Sequence, residues 1–136
     1  MLKKRLHYID FNGEDQNEDL YFHMSTVEVT RFISKYSDYT NLDIRDQNST
    51  AQALSQFINR TLKEGRADTI INFLEDFILS AYGEKTADGK RFQKSAKIRE
   101  DFSYSIAYAT LFEELITDEK KLGQFMDGVI DNAAKN

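Results

Sequence analysis

The first hydrophobic pattern in the chain has a period of two. Leu6, Tyr8 and Asp10 alternate with His7, Ile9 and Phe11, which fits a strand. Asn12-Gly13 then supplies residues that accept positive φ in a tight turn. A polar stretch, Glu14 to Asp19, leads into Leu20-Tyr21-Phe22-His23-Met24, a short run suited to a return strand. That stretch is longer than the tightest hairpin turn, so the pattern leaves the register open. Two strands alone are marginal in water, so residues 1–24 are expected as a β-hairpin packed on the rest.

From residue 25 the period becomes helical. Ser25-Thr26-Val27-Glu28 has the spacing of a capping box, in which the Ser hydroxyl and the Glu carboxylate each satisfy a free amide of the first turn. Val29, Phe32, Ile33 and Tyr36 follow on one face. Ser37 to Ser49 is polar and predicts a loop, with Tyr39, Leu42 and Ile44 as residues that would tuck it onto the core. A second helix is expected from about Thr50 to Lys63, with Leu54, Phe57, Ile58 and Leu62 on one side and Gly65 as its stop. The third helix is the most apolar: Ile70, Phe73, Leu74, Phe77, Ile78 and Ala81 form a wide stripe that Ile71 and Tyr82 extend. Such a helix lies in the core or holds a partner. Gly83 is expected to end it.

A polar connection, Glu84 to Phe92, contains the turn pair Asp88-Gly89. Lys94 to Ser103 suits a short helix with Ile98 and Phe102 inward. Tyr108, Leu111, Phe112 and Leu115 mark the next. Thr117, followed by Asp118 and Glu119, is expected to cap a last helix with Leu122, Phe125, Met126, Val129 and Ile130 on its apolar face. Residues 131–136 are polar and expected to fray. The prediction is one domain over residues 1–136, mainly α within the α+β class: an N-terminal β-hairpin packed on a bundle of about five to six short helices spanning 25–130.

Composition supports the helical emphasis. The chain has 136 residues and no proline, where average usage of about 5% would supply several, so no segment is barred from helix by a ring clash. Ten Phe and seven Tyr, with no Trp, place much of the buried area in aromatic rings. No apolar run approaches a membrane span, and the basic start Met1-Leu2-Lys3-Lys4-Arg5 lacks the apolar stretch of a secretory signal. A protein without membrane contact is expected. The absence of Cys removes disulfides, thiol nucleophiles and thiolate metal sites.

Sites of chemistry are sparse. His7 and His23 both fall in the hairpin, and no His, Cys or Glu spacing matches a transition-metal site. Phosphate-binding glycine motifs are missing, and Asp38 to Asn48 lacks the Gly and terminal Glu of a calcium loop. Glu75-Asp76 and Glu113-Glu114 are adjacent on helices and point in different directions, so neither forms a shared acid–base pair. No enzyme, metal or cofactor is expected. One basic cluster, Lys85, Lys90, Arg91, Lys94, Lys97 and Arg99, has Phe92 and Tyr104 beside it. Basic residues among aromatics can bind phosphates and stack bases. Glu84, Asp88, Glu100 and Asp101 dilute it, and the net charge is −5, so a solvated loop and helix face is the simpler reading and nucleic acid the lesser one.

The same segment carries a family resemblance. Tyr82-Gly83-Glu84-Lys85-Thr86-Ala87-Asp88-Gly89-Lys90-Arg91-Phe92-Gln93-Lys94-Ser95 resembles the "YGxKSxDGxRFxKS" signature of phage tail assembly chaperones, in their short form from long-tailed phages. Arg99, Asp101-Phe102-Ser103, Ala107-Tyr108, Leu111-Phe112, Glu114-Leu115, Thr117-Asp118, Phe125 and Gly128-Val129-Ile130 continue the pattern. Upstream, Leu20-Tyr21-Phe22-His23-Met24-Ser25 with Glu28 is similar to the group's "FYFxLTxxE". Thr86 replaces the usual Ser, Ser105 stands where Thr is common, and no Pro follows Ile130.

The resemblance implies a role rather than a reaction: a chaperone in the host cytoplasm, absent from the mature virion, that coats the tape measure protein and keeps it soluble. The tail tube protein and a frameshifted longer form of the chain are further expected partners, along with self-association. Tyr82, Gly83, Lys85, Asp88, Gly89, Arg91, Phe92 and Lys94 would then form a signature loop, with Arg91 and Lys94 pairing with helix carboxylates or carbonyls. The apolar face Leu122, Phe125, Met126, Val129 and Ile130 would meet an amphipathic partner helix. A structural tail component retained in the virion, or a small nucleic-acid-binding regulator, are the competing readings.

Overall fold

The computed structural model describes residues 1–40, 60–61 and 63–135. Strands β1 (Leu2–Ile9) and β2 (Asp15–Phe22) form the expected hairpin, in register from Leu2↔Phe22 to Ile9↔Asp15. The Asp10 carboxylate accepts the amides of Asn12 and Glu14, both at 2.9 Å, and Gly13 takes φ 81°. This local bonding sets the turn that Asn12-Gly13 announces. The polar stretch expected to lead into the return strand is itself strand. Its side chains answer those of β1: Arg5 lies 3.6 Å from Asp19, His7 3.4 Å from Asp15, and the Tyr8 hydroxyl donates to Glu18. Cross-strand polar pairs thus stand in for apolar content, while Leu6, Leu20 and Phe22 supply the buried face.

Helix α1 (Thr26–Thr40) opens on the capping box: Ser25 N–H donates to Glu28 at 3.0 Å, and Glu28 N–H donates to the Ser25 hydroxyl at 3.2 Å. Val29 and Phe32 are buried. Residues 37–40, expected as the start of a loop, continue the helix. The loop contacts of Tyr39, Leu42 and Ile44, and the second helix up to residue 59, lie outside the described residues. Arg60, Thr61 and Lys63 are helical, and Gly65 ends that turn at φ 74°, with Arg66 N–H on the Thr61 carbonyl at 3.1 Å. That bond, spanning six residues, is the mark of a Schellman end.

Helix α2 (Ala67–Ala81) buries Ile70, Phe73, Leu74, Phe77, Ile78 and Ala81, all six of the residues its spacing marks. Ile71 stays 42% exposed. Gly83 does not end this helix. The chain turns extended at Tyr82, and the expected polar connection contains two short strands, β3 (Tyr82–Lys85) and β4 (Phe92–Gln93). They complete an antiparallel sheet in the order β1-β2-β3-β4.

Helices α3 (Ala96–Ser103), α4 (Ile106–Thr117) and α5 (Glu119–Lys135) follow. Ser95 and Ser105 cap the first two. The last helix is capped by Asp118 rather than Thr117: the Asp118 carboxylate accepts from Lys120 and Lys121 N–H, while the Thr117 hydroxyl bonds back to the Glu113 carbonyl and closes α4. Residues 131–135, expected to fray, are helical.

The fold is thus α+β, a hairpin-based sheet packed on helices. Its core centres on aromatic rings. Phe22 meets Tyr82, Phe102 and Phe125 edge-on, with centroids 5.7, 6.3 and 5.0 Å away, and Phe77 meets Phe32 and Phe125 at 5.3 and 6.0 Å. Such offset geometries add to the area term for each ring.

Candidate functional site

The signature loop is built from the sheet outward. Tyr82 opens β3 and stacks flat on Phe102, centroids 3.7 Å apart and planes within 6°; burial pushes its phenol pKa up. Gly83 pairs with Tyr21 across the sheet and is buried. A Cβ there would sit 2.6 Å from Phe92 Cε2 and 2.8 Å from the Gln93 carbonyl oxygen, so close approach of β4 requires glycine.

Beyond Lys85 the chain turns through Thr86 to Arg91. The Thr86 N–H donates to the Arg91 carbonyl and Gly89 N–H to the Thr86 carbonyl, both at 2.9 Å, with Gly89 at φ 74°. The Asp88 carboxylate accepts from the Thr86 hydroxyl at 2.5 Å and Lys90 N–H at 3.0 Å, and the Thr86 hydroxyl first, then that amide, hold its pKa below the usual range. Threonine in place of the family's serine keeps these hydroxyl bonds.

Lys94 then fastens the loop to two helices. Its ammonium donates to Glu28 Oε2 at 2.5 Å and to the Ser80 carbonyl at 2.8 Å, and lies 5.8 Å above the Phe92 ring. The expected pairing with a helix carboxylate and a helix carbonyl is therefore seen for Lys94. Arg91 is exposed and forms no ion pair among the described residues. Glu28 serves two partners at once, Lys94 on one oxygen and Ser25 N–H on the other. Burial alone would raise its pKa; the Lys94 and Ser25 bonds outweigh that and leave it lowered. The two segments that carry the resemblance thus meet in space: Phe22 pairs with Tyr82, His23 lies edge-on to Phe92 at 5.7 Å, and Glu28 binds Lys94. Sequence reasoning missed Ser80, because its contact is made by a backbone carbonyl that no side-chain pattern reports.

The basic cluster is divided. Lys94 is consumed within the fold. Lys85 lies 5.6 Å over the Tyr21 ring, and with Lys90, Arg91, Phe92 and His23 it lines a shallow depression of about 430 Å³. Arg99 instead faces a groove of about 380 Å³ between α1 and α2, with Arg31, Lys35, Asp76 and Ser80. His23 Nδ1 is buried without a hydrogen bond, and burial first, then the chain's amino terminus and Lys94, depress its pKa. These effects favour the neutral ring.

The last-helix face sits elsewhere. Leu122, Phe125, Met126, Val129 and Ile130 are all buried, with α5 seated against α4, β1 and α1. Phe125 packs on Phe22 and on Phe77 of the third predicted helix. As folded, these five residues meet the core, and a partner reaches them only where α5 moves. No helix among the described residues is long and apolar enough to cross a membrane, and none of their His, Asp and Glu side chains group in threes or more as a metal site requires.

The family model described as phage tail assembly chaperone matches residues 1–133. No curated protein and no solved structure matches the chain.

Proposed function

The chain belongs to the phage tail assembly chaperone family, and we propose that it binds and solubilises the tape measure protein while the tail is assembled in the host cytoplasm. It acts by binding and not by catalysis. The partner is a long helical protein with apolar stretches, so the chaperone must offer apolar surface to it.

The observation that carries this reading is where the apolar surface lies. Among the described residues, the large exposed apolar ones, Met1, Ile9, Phe11, Val27, Ile71 and Tyr104, are spread over the hairpin, α1, α2 and the α3–α4 junction, whereas a continuous apolar stripe runs along α5 and is buried. Binding then proceeds by exchange: α5 lifts, and a tape measure helix takes up the face of Leu122, Phe125, Met126, Val129 and Ile130 or the seat they leave. Two features favour that motion. Gly123 and Gly128 lie within it, and each costs about 1 kcal/mol of helix stability relative to alanine. Met126, unbranched and polarizable, adapts to different surfaces.

Co-expression with the tape measure protein of the same phage tests the proposal. The expected result is a tape measure that moves to the soluble fraction and co-purifies, with the chaperone missing from purified particles. Recovery of the chain in particles at fixed stoichiometry would replace this reading with that of a retained tail component.

A further inference from the structure

Strand β1 is the outer strand of the sheet, and β2 is its one strand neighbour among the described residues. The bond from Asp10 N–H to the Glu14 carbonyl fixes the ladder's alternation. Even-numbered residues of β1 bond to β2, so the backbone N–H and C=O groups of Lys3, Arg5, His7 and Ile9 point outward. Their side chains are exposed on the outer sheet face, Ile9 at 60%. Proteins guard such edges with proline, bulges, charge or a covering helix or loop. Here β1 pairs without interruption over eight residues and contains no proline, and α4 and α5 meet it through Lys4 and Leu2 of its inner face, so among the described residues charge is the guard that remains. It covers half the strand: Lys3, Lys4 and Arg5 are followed by Leu6, His7, Tyr8 and Ile9.

We propose that β1 pairs antiparallel with β1 of a second copy about Leu6, joining two four-stranded sheets into one. Side chains of opposed residues must share a face, which restricts the central register to one centred on Arg5 or on Leu6. Centring on Arg5 sets that guanidinium against its own copy, and like charges directly opposed are destabilising. Centring on Leu6 places Lys3 opposite Ile9, Lys4 opposite Tyr8 and Arg5 opposite His7 of the second copy, so no Lys or Arg faces another. The outward backbone groups fall at Lys3, Arg5, His7 and Ile9, the same residues this register hydrogen-bonds, giving about eight new bonds. Beyond Ile9 on the same sheet face stands Asp15, whose side chain is 75% exposed. The Lys3 ammonium of the second copy can lay its stem over Ile9 and end near that carboxylate. Phe11, 87% exposed, falls at the end of the seam. A two-strand seam buries less than a standard interface, which puts the association in the weak, reversible range.

Sedimentation equilibrium of the full chain from about 1 µM to 1 mM tests this. The expected species has twice the 15.8 kDa chain mass. His7→Pro deletes an outward N–H while leaving the β1–β2 ladder intact, and Ile9→Lys sets lysine against Lys3. Each is expected to weaken the dimer at least about 10-fold with an unchanged circular dichroism spectrum. Should His7→Pro misfold, Ile9→Lys decides, because its site is exposed. Adding Lys3→Glu to Ile9→Lys is expected to restore the dimer, a rescue specific to the register about Leu6. A monomer throughout, a dimer indifferent to both substitutions, an assembly larger than two, or failure of the rescue would each overturn the proposal.

Discussion

Replacing Gly83 by alanine is the sharpest test of how the signature loop holds the fold together. The added methyl would lie 2.6 Å from Phe92 Cε2 and 2.8 Å from the Gln93 carbonyl oxygen, both well inside contact distance. The Phe92 ring can rotate away, but the Gln93 carbonyl is backbone and moves only if β3 and β4 separate. Overpacking of this kind costs about 2–3 kcal/mol. With an unfolding entropy near 2.1 cal/mol/K per residue, that corresponds to a drop in Tm of roughly 7–10 °C for a chain of this length. Thermal unfolding followed by circular dichroism reads it directly. Gly128→Ala is the control: its methyl would lie 2.9 Å from Leu2 Cδ1, the far end of a flexible side chain, and helix propensity returns about 1 kcal/mol. Its Tm should change by no more than about 2 °C. Equal behaviour of the two variants would refute the claim that close strand approach demands glycine at 83.

Three further outcomes follow from the same geometry. Lys94→Met leaves Glu28 and the Ser80 carbonyl without their ammonium and should cost about 1–3 kcal/mol in urea unfolding, while Lys94→Met in a Glu28→Gln background should cost measurably less. The folded-state pKa of Glu28 lies below its ordinary 4.5, so its contribution is present above that pH and lost as pH falls through the lowered value; Glu28→Gln should flatten stability against pH in that acid window. His23 is likewise depressed from 6.5, so the unfolded chain takes up its proton first and stability declines as pH falls below 6.5. His23→Phe, a ring of similar size that cannot charge, should remove the part of that decline between 6.5 and the carboxylate range.

Much of the described helical core was legible because its stripes obey their period. The six apolar residues of α2, the capping box at Ser25 and Glu28, and the stop at Gly65 all stand where spacing and capping rules put them. Strands were harder. Asp15 to Asp19 is too polar to read as strand, since its stability comes from residues of β1 that the local pattern cannot see. Strands β3 and β4 are short, and Gly83 looks like a helix stop until the Phe92 ring is placed against it. At Thr117 and Asp118 two capping residues stand side by side, and the choice between them is made by the Thr117 hydroxyl turning back to α4. The loop's anchoring by Lys94 followed from its charge, but its partners 66 and 14 residues away did not. The α5 stripe was visible as apolar, and periodicity alone does not say whether such a stripe faces core or partner.

The motion proposed for α5 gives the most direct test of the function. A Cβ at position 128 lies 3.5 Å from Leu2 Cγ, about where a cysteine sulfur at position 2 would stand, so Leu2→Cys with Gly128→Cys is placed to form a disulfide in a chain with no other cysteine. Pull-down of the tape measure protein would be measured with this variant oxidised, then reduced, beside the wild type. The account predicts capture by the wild type and by the reduced variant, and loss of capture when the disulfide holds α5 against β1. Equal capture in both redox states would contradict it.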